Sequence, residues 1–236
     1  KRTSMELGGN APFIVFDDAD LDKAVSGAMI SKYRNAGQTC VCTNRILVQH
    51  KIYDEFVSKF KSECEKLVIG DGQKETTTIG PLIDSNAAED VKSLIEDAKI
   101  KGARVELGGD SCDLGDNFIN PTILSNINTS MRVFNEEIFG PVAPIIKFET
   151  ENEAIELANQ TDFGLAAYFY SRDIGRVYRV SEKLEFGIIG VNEGIISNEM
   201  APFGGIKESG NGREGSKYGL DDYLEIKYVC VGGINE

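Results

Sequence analysis

Apolar and polar positions along the chain follow two alternating patterns. Short runs rich in β-branched and aromatic residues are typical of buried strands. They alternate with stretches whose apolar residues recur every three or four positions, as on one face of a helix. The runs that predict strands are APFIVF, RILVQ, VAPIIKF, LAAYFYS and FGIIGVN. This alternation predicts an α/β domain with an open, mostly parallel sheet and flanking helices.

The helical stretches have recognisable boundaries. We expect Asp17, Asp18 and Asp20 to supply capping oxygens and favourable charge to the first helix, and Gly37 to follow its end. The periodicity predicts helices over 21–33, 52–67, 87–101, 151–159 and 174–184.

Two glycine-rich loops, 187–198 and 203–219, come late in the chain. Ligands of open α/β sheets bind at the carboxyl ends of the strands. The loop that leaves FGIIGV is therefore expected to form a wall of a pocket at that end of the sheet.

Composition and charge narrow the class of partner. Of the 236 residues, 41% are hydrophobic and 27% are charged, and the formal net charge is −13. Such an acidic chain would repel nucleic-acid phosphates and anionic lipid. The apolar runs are too short to span a bilayer, and the start lacks the apolar segment of a signal peptide. We expect a soluble, cytoplasmic protein that binds a small molecule, with no nucleic-acid or membrane partner.

Five cysteines without a secretion signal argue against a disulfide framework. Cys64 falls on the apolar face of a predicted helix and Cys230 on one face of the predicted strand LEIKYVCV, so both are expected to be packing residues. Cys112 lies in a turn-like segment without an evident partner. Cys40 and Cys42 lie in the loop RNAGQTCVCTNR, where a sulfur could reach a ligand.

Two familiar site patterns are rejected. Gly210, Gly212 and Gly215 match the spelling G-x-G-x-x-G, but they lack the preceding strand and following helix of a dinucleotide-binding turn. Cys40 and Cys42 could contact one ion, yet the chain has no second cysteine pair and one histidine. No metal site is predicted.

A thiol nucleophile is the remaining chemistry. The histidine, His50, follows a strand and precedes a helix, and is a poor match for a Cys–His pair with Cys40. Backbone N–H groups, or a carboxylate acting through water, can activate a thiol instead. Glu6 is a candidate base because it lies on an apolar segment, where burial would raise its pKa. An ordinary surface glutamate is the alternative interpretation.

Four segments resemble the aldehyde dehydrogenase superfamily in order and spacing: MELGGNAPFIVFDDADLD, GQTCVCTNR, EEIFGPVAPI and APFGGIKESGNGREG. Wider segments, KYRNAGQTCVCTNR, GIISNEMAPFGGIKESG and GSKYGLDDYLEIKYVC, resemble its succinate-semialdehyde dehydrogenase group. The resemblance extends from Glu6 to the C-terminus. It implies NAD- or NADP-dependent oxidation of succinate semialdehyde, or of a similar short carboxylated aldehyde, to the acid.

The resemblance also implies roles for individual residues. Cys40 matches the nucleophile that forms a thiohemiacetal and then a thioester, and its backbone N–H matches half of the oxyanion site. Glu6 matches the base that activates water to hydrolyse the thioester. Glu137 and Phe139 match the pair that holds the nicotinamide ribose, and Leu7 is placed with them in the cofactor site.

Three residues match substrate contacts. Arg34 and Ser197 match the residues that bind the distal carboxylate of the substrate, a group that a guanidinium can hold through paired hydrogen bonds. Phe203 matches an aromatic residue that lines the substrate passage. In the alternative interpretation, Arg34 is a cation at a helix C-terminus and Ser197 an ordinary loop hydroxyl.

Cys42 is not required by this chemistry. Simple packing beneath the loop is the favoured interpretation. The alternative is a redox latch, in which Cys42 forms a disulfide with Cys40 under oxidant and protects it, although so short a ring would require the loop to move.

The chain is predicted to comprise a catalytic domain over 1–218 and a C-terminal strand and tail over 219–236. In the family the last strand, here about 223–231, adds to a neighbouring subunit, which implies a homodimer or homotetramer. The family's N-terminal nucleotide-binding half is absent, so a chain that starts at Lys1 is expected to be part of a longer enzyme and nearly inactive alone.

Two other functions stay open at this point. One is a non-catalytic binding or assembly module derived from the family. The other is a thiol acyltransferase or esterase that uses Cys40 without a nucleotide, against which Glu137 and Phe139 argue.

Overall fold

The computed structural model describes residues 2–233, and its main feature is a seven-stranded sheet flanked by helices. The strands are β1 (Met5–Glu6), β2 (Ala11–Val15), β3 (Thr43–Gln49), β4 (Arg104–Leu107), β5 (Thr122–Ser125), β6 (Val142–Phe148), β7 (Phe163–Gly164), β8 (Ala166–Tyr170), β9 (Ile188–Val191), β10 (Ile206–Lys207) and β11 (Gly210–Asn211). The helices are α1 (Leu21–Tyr33), α2 (Tyr53–Cys64), α3 (Ser85–Ile100), α4 (Arg132–Asn135), α5 (Glu151–Asn159) and α6 (Ile174–Lys183).

The large sheet has the strand order β4-β5-β6-β3-β2-β8-β9. All neighbouring pairs are parallel except β4 with β5, where the edge strand is antiparallel. Two small antiparallel pairs, β1 with β11 and β7 with β10, lie outside it. The prediction of an open, mostly parallel sheet is confirmed.

The central strands and most helices match the predicted elements closely. The pattern located α1, β6 and α5 to the residue, because each has a buried apolar face or core and clear boundaries. The predicted helix over 52–67 is shorter at its end: a 3-10 turn at His50–Ile52 leads into α2, which ends at Cys64. The strands β4 and β5 were not predicted; each has four residues, and β4 is only partly buried.

The aspartates before α1 do not all cap that helix. Asp20 does, because its side chain accepts the backbone N–H of Lys23 at 3.3 Å. Asp18 instead accepts hydrogen bonds from Ser171 Oγ and from the backbone N–H groups of Arg172 and Asp173, each at 2.8–2.9 Å. The capping prediction is therefore wrong for Asp18, which ties the start of α1 to the turn after β8.

The C-terminal segment differs from its prediction. A 3-10 helix covers Tyr218–Tyr223, and residues 224–233 have no regular secondary structure and are exposed. The expectation that Cys230 packs on a strand face is wrong within this chain, because Cys230 is exposed and lies in a segment without regular secondary structure. Pairing of this segment with another subunit stays a prediction, and residues 234–236 lie outside the described part.

Within residues 2–233, no helix combines the length and the apolar character needed to cross a membrane.

The helix layer of α1 and α2 is held by an aromatic stack. The ring of Phe60 lies 5.6 Å from that of Phe56 and 5.9 Å from that of Tyr33, and neither phenylalanine is exposed. Cys64 continues this buried face one turn later and donates to the Tyr33 hydroxyl at 3.3 Å, so its predicted packing role is confirmed.

We predict that Phe60→Ala lowers the free energy of unfolding by about 3–5 kcal/mol, because it leaves a cavity between α1 and α2. Urea unfolding of the full-length protein would measure the loss. The exposed Tyr178→Ala on α6 serves as the control and should change stability by less than about 0.5 kcal/mol. Equal losses in the two variants would contradict the assigned role of the stack.

Candidate active site

Three segments that carry predicted site residues enter neighbouring strands from the same side. Gly9 lies shortly before β2, Cys40 before β3, and Glu137 before β6. Because these strands are parallel neighbours, the three segments meet at the amino ends of the strands. The sequence predicted a pocket wall at the carboxyl ends only for the loop after β9, and these three segments lie at the opposite edge of the sheet.

The loop that leaves β9 also returns to this edge. It starts at the carboxyl end of the strand and passes α1, where Gly194 packs closely on the Gly27 backbone. Further on, β10 pairs with β7 just before β8. Where it leaves β9, the loop lines a pocket with Tyr170 and residues of α1, so the expectation of a pocket wall at the carboxyl ends is confirmed for residues 192–195.

The loop that carries Cys40 begins with a tight left-handed turn. Asn35, Ala36 and Gly37 follow α1 with φ values of 52°, 55° and 79°. A Cβ at Gly37 would overlap the Gly140 carbonyl oxygen, so this position requires glycine for both conformation and space. The turn ends the helix as predicted and directs the chain towards β3.

Gly9 packs directly against the backbone of Cys40. A Cβ added at Gly9 would overlap the Cys40 carbonyl oxygen. The N–H of Gly9 donates to Glu137 Oε1 at 3.0 Å, and an added Cβ at Gly8 would lie 2.8 Å from Glu137 Oε2. These contacts join Cys40 and Glu137 through one short glycine segment.

A buried amide network fixes the segment that carries Glu137. Asn44 Nδ2 donates to Asn10 Oδ1 at 2.7 Å and to the Glu136 carbonyl at 2.8 Å, while Asn44 Oδ1 accepts the N–H of Ile138 at 2.9 Å. Both asparagines are at least 97% buried. The network therefore holds the backbone on each side of Glu137 to the starts of β2 and β3.

A buried guanidinium extends this network. Arg45 is fully buried and donates to the carbonyl groups of Asn10, Leu157 and Ala158 at 2.7–2.9 Å. Burial lowers its pKa to about 9. Arg45 thus satisfies the carbonyl groups at the end of α5 and joins that helix to the loop before β2.

Cys40 is partly exposed, and its surroundings disfavour the thiolate. Burial raises its pKa, and the negative charges of Glu6 and Glu137 raise it further, whereas its own backbone N–H opposes the shift. In this environment the thiol is the resting form at neutral pH.

Glu6 reaches the same site from β1. Pairing of β1 with β11 fixes its backbone, and both carboxylate oxygens are buried without a hydrogen-bond partner in the described part of the chain. Burial raises its pKa, as does the charge of Glu214, whereas the nearby Gly205 backbone N–H and the charge of Arg213 oppose the shift. The interpretation of Glu6 as an ordinary surface glutamate is therefore wrong.

Cys42 lies beneath the loop, as the packing interpretation predicted. It is 7% exposed, its sulfur lies 2.7 Å from Thr39 Oγ1, and it donates to the Arg34 carbonyl at 3.7 Å. The redox latch stays a hypothesis.

The other predicted site residues lie at varied depths around this edge. Arg34 follows α1 and is partly buried. Burial raises the pKa of Tyr168, and the charge of Arg34 opposes that shift. Ser197 is exposed on the loop after β9. Phe203 is partly buried against the core. Leu7 and Phe139 expose 47% and 45% of their surface. No contact in the described structure joins Ser197 to Arg34, so their shared role stays a prediction.

Residue-by-residue inspection of the sequence missed Lys32, which is fully buried near this site. A signal was present, because Val25, Ala28 and Lys32 lie three and four positions apart on the inward stripe of α1. Asn10 and Asn44 gave no comparable signal, since amides are common in loops.

Comparisons with known proteins agree with this geometry. Residues 1–229 match the aldehyde dehydrogenase family. The chain is 61% identical over 232 residues to an NADP(+) succinate-semialdehyde dehydrogenase of Escherichia coli, which covers 98% of this chain and 48% of that protein. It is 60% identical over 235 residues to a 3-sulfolactaldehyde dehydrogenase of Pseudomonas putida, with coverages of 100% and 48%.

A solved structure gives the same result. The crystal structure of an E. coli NADP dependent enzyme superposes with a TM-score of 0.97 at 61% identity, covering 98% of this chain and 48% of that one. The fold and the arrangement of the loops are those of an aldehyde dehydrogenase domain. The chain belongs to the aldehyde dehydrogenase family, and it spans about half the length of the relatives it matches.

We predict that Gly9→Ala destabilises the protein by about 1–3 kcal/mol, because the methyl group forces the loops of Gly9 and Cys40 apart. Thermal unfolding would measure the effect. Gly80→Ala is the matched control, since an added Cβ there meets nothing within 4 Å. If both variants unfold at the wild-type temperature, the close approach of Gly9 to the Cys40 backbone does not require glycine at position 9.

We also predict that iodoacetamide modifies Cys40 slowly at neutral pH. The rate should rise about tenfold for each unit of pH increase until the pH reaches the raised thiol pKa. Glu6→Gln removes a neighbouring negative charge and should lower that pKa, speeding the reaction several-fold at pH 8. Mass spectrometry would follow the modified peptide, with Cys40→Ser reporting any signal from Cys42. An exposed control, Glu182→Gln, should leave the rate unchanged; acceleration by the control alone would contradict the assignment.

Proposed function

We propose that the protein oxidises a short aldehyde carrying a distal anionic group, such as succinate semialdehyde, to the acid with NAD or NADP. The observation that carries this proposal is the convergence of Cys40, Glu6 and Glu137 at one edge of the sheet. It occurs in a chain about 60% identical to dehydrogenases named for anionic aldehydes.

The residues around Glu137 fit a nicotinamide dinucleotide. The Gly9 N–H donates to Oε1 of Glu137. The remaining lone pairs of the carboxylate can accept hydrogen bonds from the hydroxyl groups of a ribose. Phe139 offers a partly exposed ring two residues on, and Leu7 is likewise about half exposed. When bound, the cofactor would supply the hydride acceptor for the aldehyde carbon.

Cys40 acts as the nucleophile in this proposal. Its sulfur gives its proton to water and bonds to the carbonyl carbon as the C=O π electrons move to oxygen, and the resulting oxyanion accepts a hydrogen bond from the Cys40 backbone N–H. Loss of hydride from that carbon leaves a thioester on the sulfur. Burial and the nearby carboxylates raise the thiol pKa, so the sulfur must lose its proton before or during the attack.

Glu6 acts as the base in the second half of the reaction. A carboxylate without hydrogen-bond partners and with a raised pKa is suited to take a proton from water as the water attacks the thioester. The thiol is released and the acid product forms. A protonated Glu6 cannot do this, so hydrolysis is expected to slow as the pH falls through the Glu6 pKa.

Arg34 and Ser197 are proposed to bind the anionic end of the substrate, with Phe203 lining the passage. Arg34 is only partly buried and forms no ion pair in the described structure, so its guanidinium is available to a carboxylate. The aldehydes in the names of both relatives carry an anionic group, which this arrangement would recognise.

The remaining length of the relatives is proposed to supply the rest of the cofactor site. Residues 1–218 would then form the catalytic domain, with 219–236 as an oligomerisation element. Leu224, Ile226 and Tyr228 alternate along the exposed segment, and more than half of each residue is exposed. Such a segment can add as a strand to a second copy, which gives a homodimer or homotetramer.

The test is formation of reduced nicotinamide by the full-length protein, with succinate semialdehyde and with uncharged butanal, each with NAD and with NADP. We expect a strong preference for the carboxylated aldehyde. Arg34→Gln should raise its KM by about tenfold to a hundredfold, because an ionic hydrogen bond is lost, and leave the KM of butanal unchanged.

Matched variants separate the roles. Arg104→Gln, on the exposed edge strand, should behave as wild type. Cys40→Ser should abolish turnover, whereas Glu6→Gln should retain a first burst of reduced cofactor and then stall with the thioester formed. Equal kcat/KM for both aldehydes would contradict the anionic substrate, and no reduction of either cofactor would contradict the dehydrogenase function.

A further inference from the structure

Tyr168 is a buried tyrosine of the large sheet that faces the helix layer of α1. It lies in the middle of β8 and is 1% exposed. Side chains alternate between the two faces of a strand, so Tyr168 shares its face with Tyr170. The Tyr170 hydroxyl packs on Gly27 of α1, where an added Cβ would overlap it. The loop of Cys40 follows this helix, so Tyr168 lies on the side of the sheet from which that loop emerges.

The ring of Tyr168 is fixed by both neighbouring strands. On β2, Phe13 is its pairing partner, and the two rings lie 5.9 Å apart. On β9, Gly190 is its pairing partner, and a Cβ added there would lie 3.0 Å from Tyr168 Cδ1. Close packing on two sides leaves the hydroxyl little freedom to move.

The Tyr168 hydroxyl donates a hydrogen bond to the carbonyl of Val41, with 2.7 Å between the two oxygens. Burial raises the pKa of Tyr168, so the hydroxyl keeps its proton and remains a donor at neutral and mildly alkaline pH. Val41 is 3% exposed, so this hydrogen bond is made in a site largely closed to solvent. Removal of one partner of a buried hydrogen bond is costly.

The carbonyl that Tyr168 holds belongs to the turn that carries the thiol. Cys40 and Val41 are the central residues of this turn, which is closed by the Cys42 N–H donating to the Thr39 carbonyl at 3.0 Å. Thr39 Oγ1 also lies 2.7 Å from Cys42 Sγ. The ends of the turn are thus joined to each other, while the tyrosine hydroxyl joins its centre to the sheet.

We propose that Tyr168 is a positioning residue for the nucleophile, whose hydroxyl holds the Val41 carbonyl and so sets the orientation of the Cys40 thiol and backbone N–H. Gly9 packs on the Cys40 carbonyl and Tyr168 binds the Val41 carbonyl, so both peptide groups after the thiol are held. This inference rests on the proposed function, because the attack by Cys40 on an aldehyde belongs to that proposal. Tyr168 acts through the turn and does not contact the reacting atoms.

The titration of Cys40 reports the geometry of this turn. Burial raises the pKa of the thiol, and the charges of Glu6, Glu137 and Cys42 raise it further. The Cys40 backbone N–H opposes the shift. The N–H stabilises the thiolate only while it lies close to the sulfur, so a turn that relaxes should give a higher thiol pKa.

The first test measures iodoacetamide modification of Cys40 against pH in the full-length protein. In Tyr168→Phe the midpoint of the profile should move up by about half a pH unit or more, which slows the reaction at pH 8 by at least about threefold. A merely structural loosening of the loop would change the rate at high pH, where access decides, and leave the midpoint in place.

Two tyrosines provide matched controls. Tyr53→Phe removes a hydroxyl that donates to the buried Ile145 carbonyl at 3.2 Å, so its melting temperature should fall about as far as that of Tyr168→Phe. Tyr170→Phe removes a hydroxyl from the same face of the same strand. Neither hydroxyl holds the nucleophile turn, so both variants should keep the wild-type midpoint.

The second test uses the proposed reaction. Tyr168→Phe should slow the first burst of reduced cofactor about tenfold, because the thiol and the oxyanion donor are misplaced. The KM for NAD or NADP should be unchanged, since this turn carries none of the residues proposed to bind the cofactor. Incorporation of 4-aminophenylalanine at position 168 keeps an N–H donor in the same place and should restore most of the burst rate and the midpoint.

Each outcome decides the proposal. A wild-type midpoint or burst rate in Tyr168→Phe, an equal shift in Tyr53→Phe, or no rescue by 4-aminophenylalanine overturns it. If Tyr168→Phe fails to fold while Tyr53→Phe folds, the hydroxyl is a requirement of folding, which also overturns it. If the wild-type protein reduces neither cofactor, the proposed function fails. A shifted midpoint would then still establish that Tyr168 positions the thiol, while its role towards an aldehyde would be overturned.

Discussion

The close packing of Gly9 on the Cys40 backbone is the contact on which the site depends. It is possible because β2 and β3 are adjacent parallel strands, so the segments that enter them run side by side. It requires glycine, since any Cβ would overlap the Cys40 carbonyl oxygen. The same glycine donates its N–H to Glu137, so a single residue relates the thiol to the carboxylate that lies before β6. Buried amides then hold this arrangement to the core of the sheet.

The amino-end edge of the sheet concentrates negative charge around the Cys40 thiol. Burial raises the pKa of Cys40, and the charges of Glu6 and Glu137 raise it further, which stabilises the protonated sulfur. Carboxylates and a thiol can therefore lie close together without the thiol being in its reactive, ionised form at neutral pH.

The position of the site at the amino ends of the strands has a simple structural origin. A helix that connects parallel strands runs antiparallel to them, so the segment after α1 emerges beside the start of β3. The short pairings of β1 with β11 and of β7 with β10 then bring the late glycine-rich segments to this edge. Two-residue strands leave no pattern in the sequence, so the return of the late segments to this edge could not be predicted from it.

The sequence by itself determined the elements whose signals are local. Hydrophobic periodicity and capping residues located α1, β6 and α5, and the motif order indicated the family. Only the tertiary structure decided what depends on distant segments. Glu6 became a buried carboxylate through pairing with β11, Asp18 capped a turn after β8, and Cys230 was left exposed because no neighbouring layer covers it. The reason is physical: period and propensity act over a few residues, whereas burial and charge pairing arise from residues more than a hundred positions apart, such as Gly9 and Glu137.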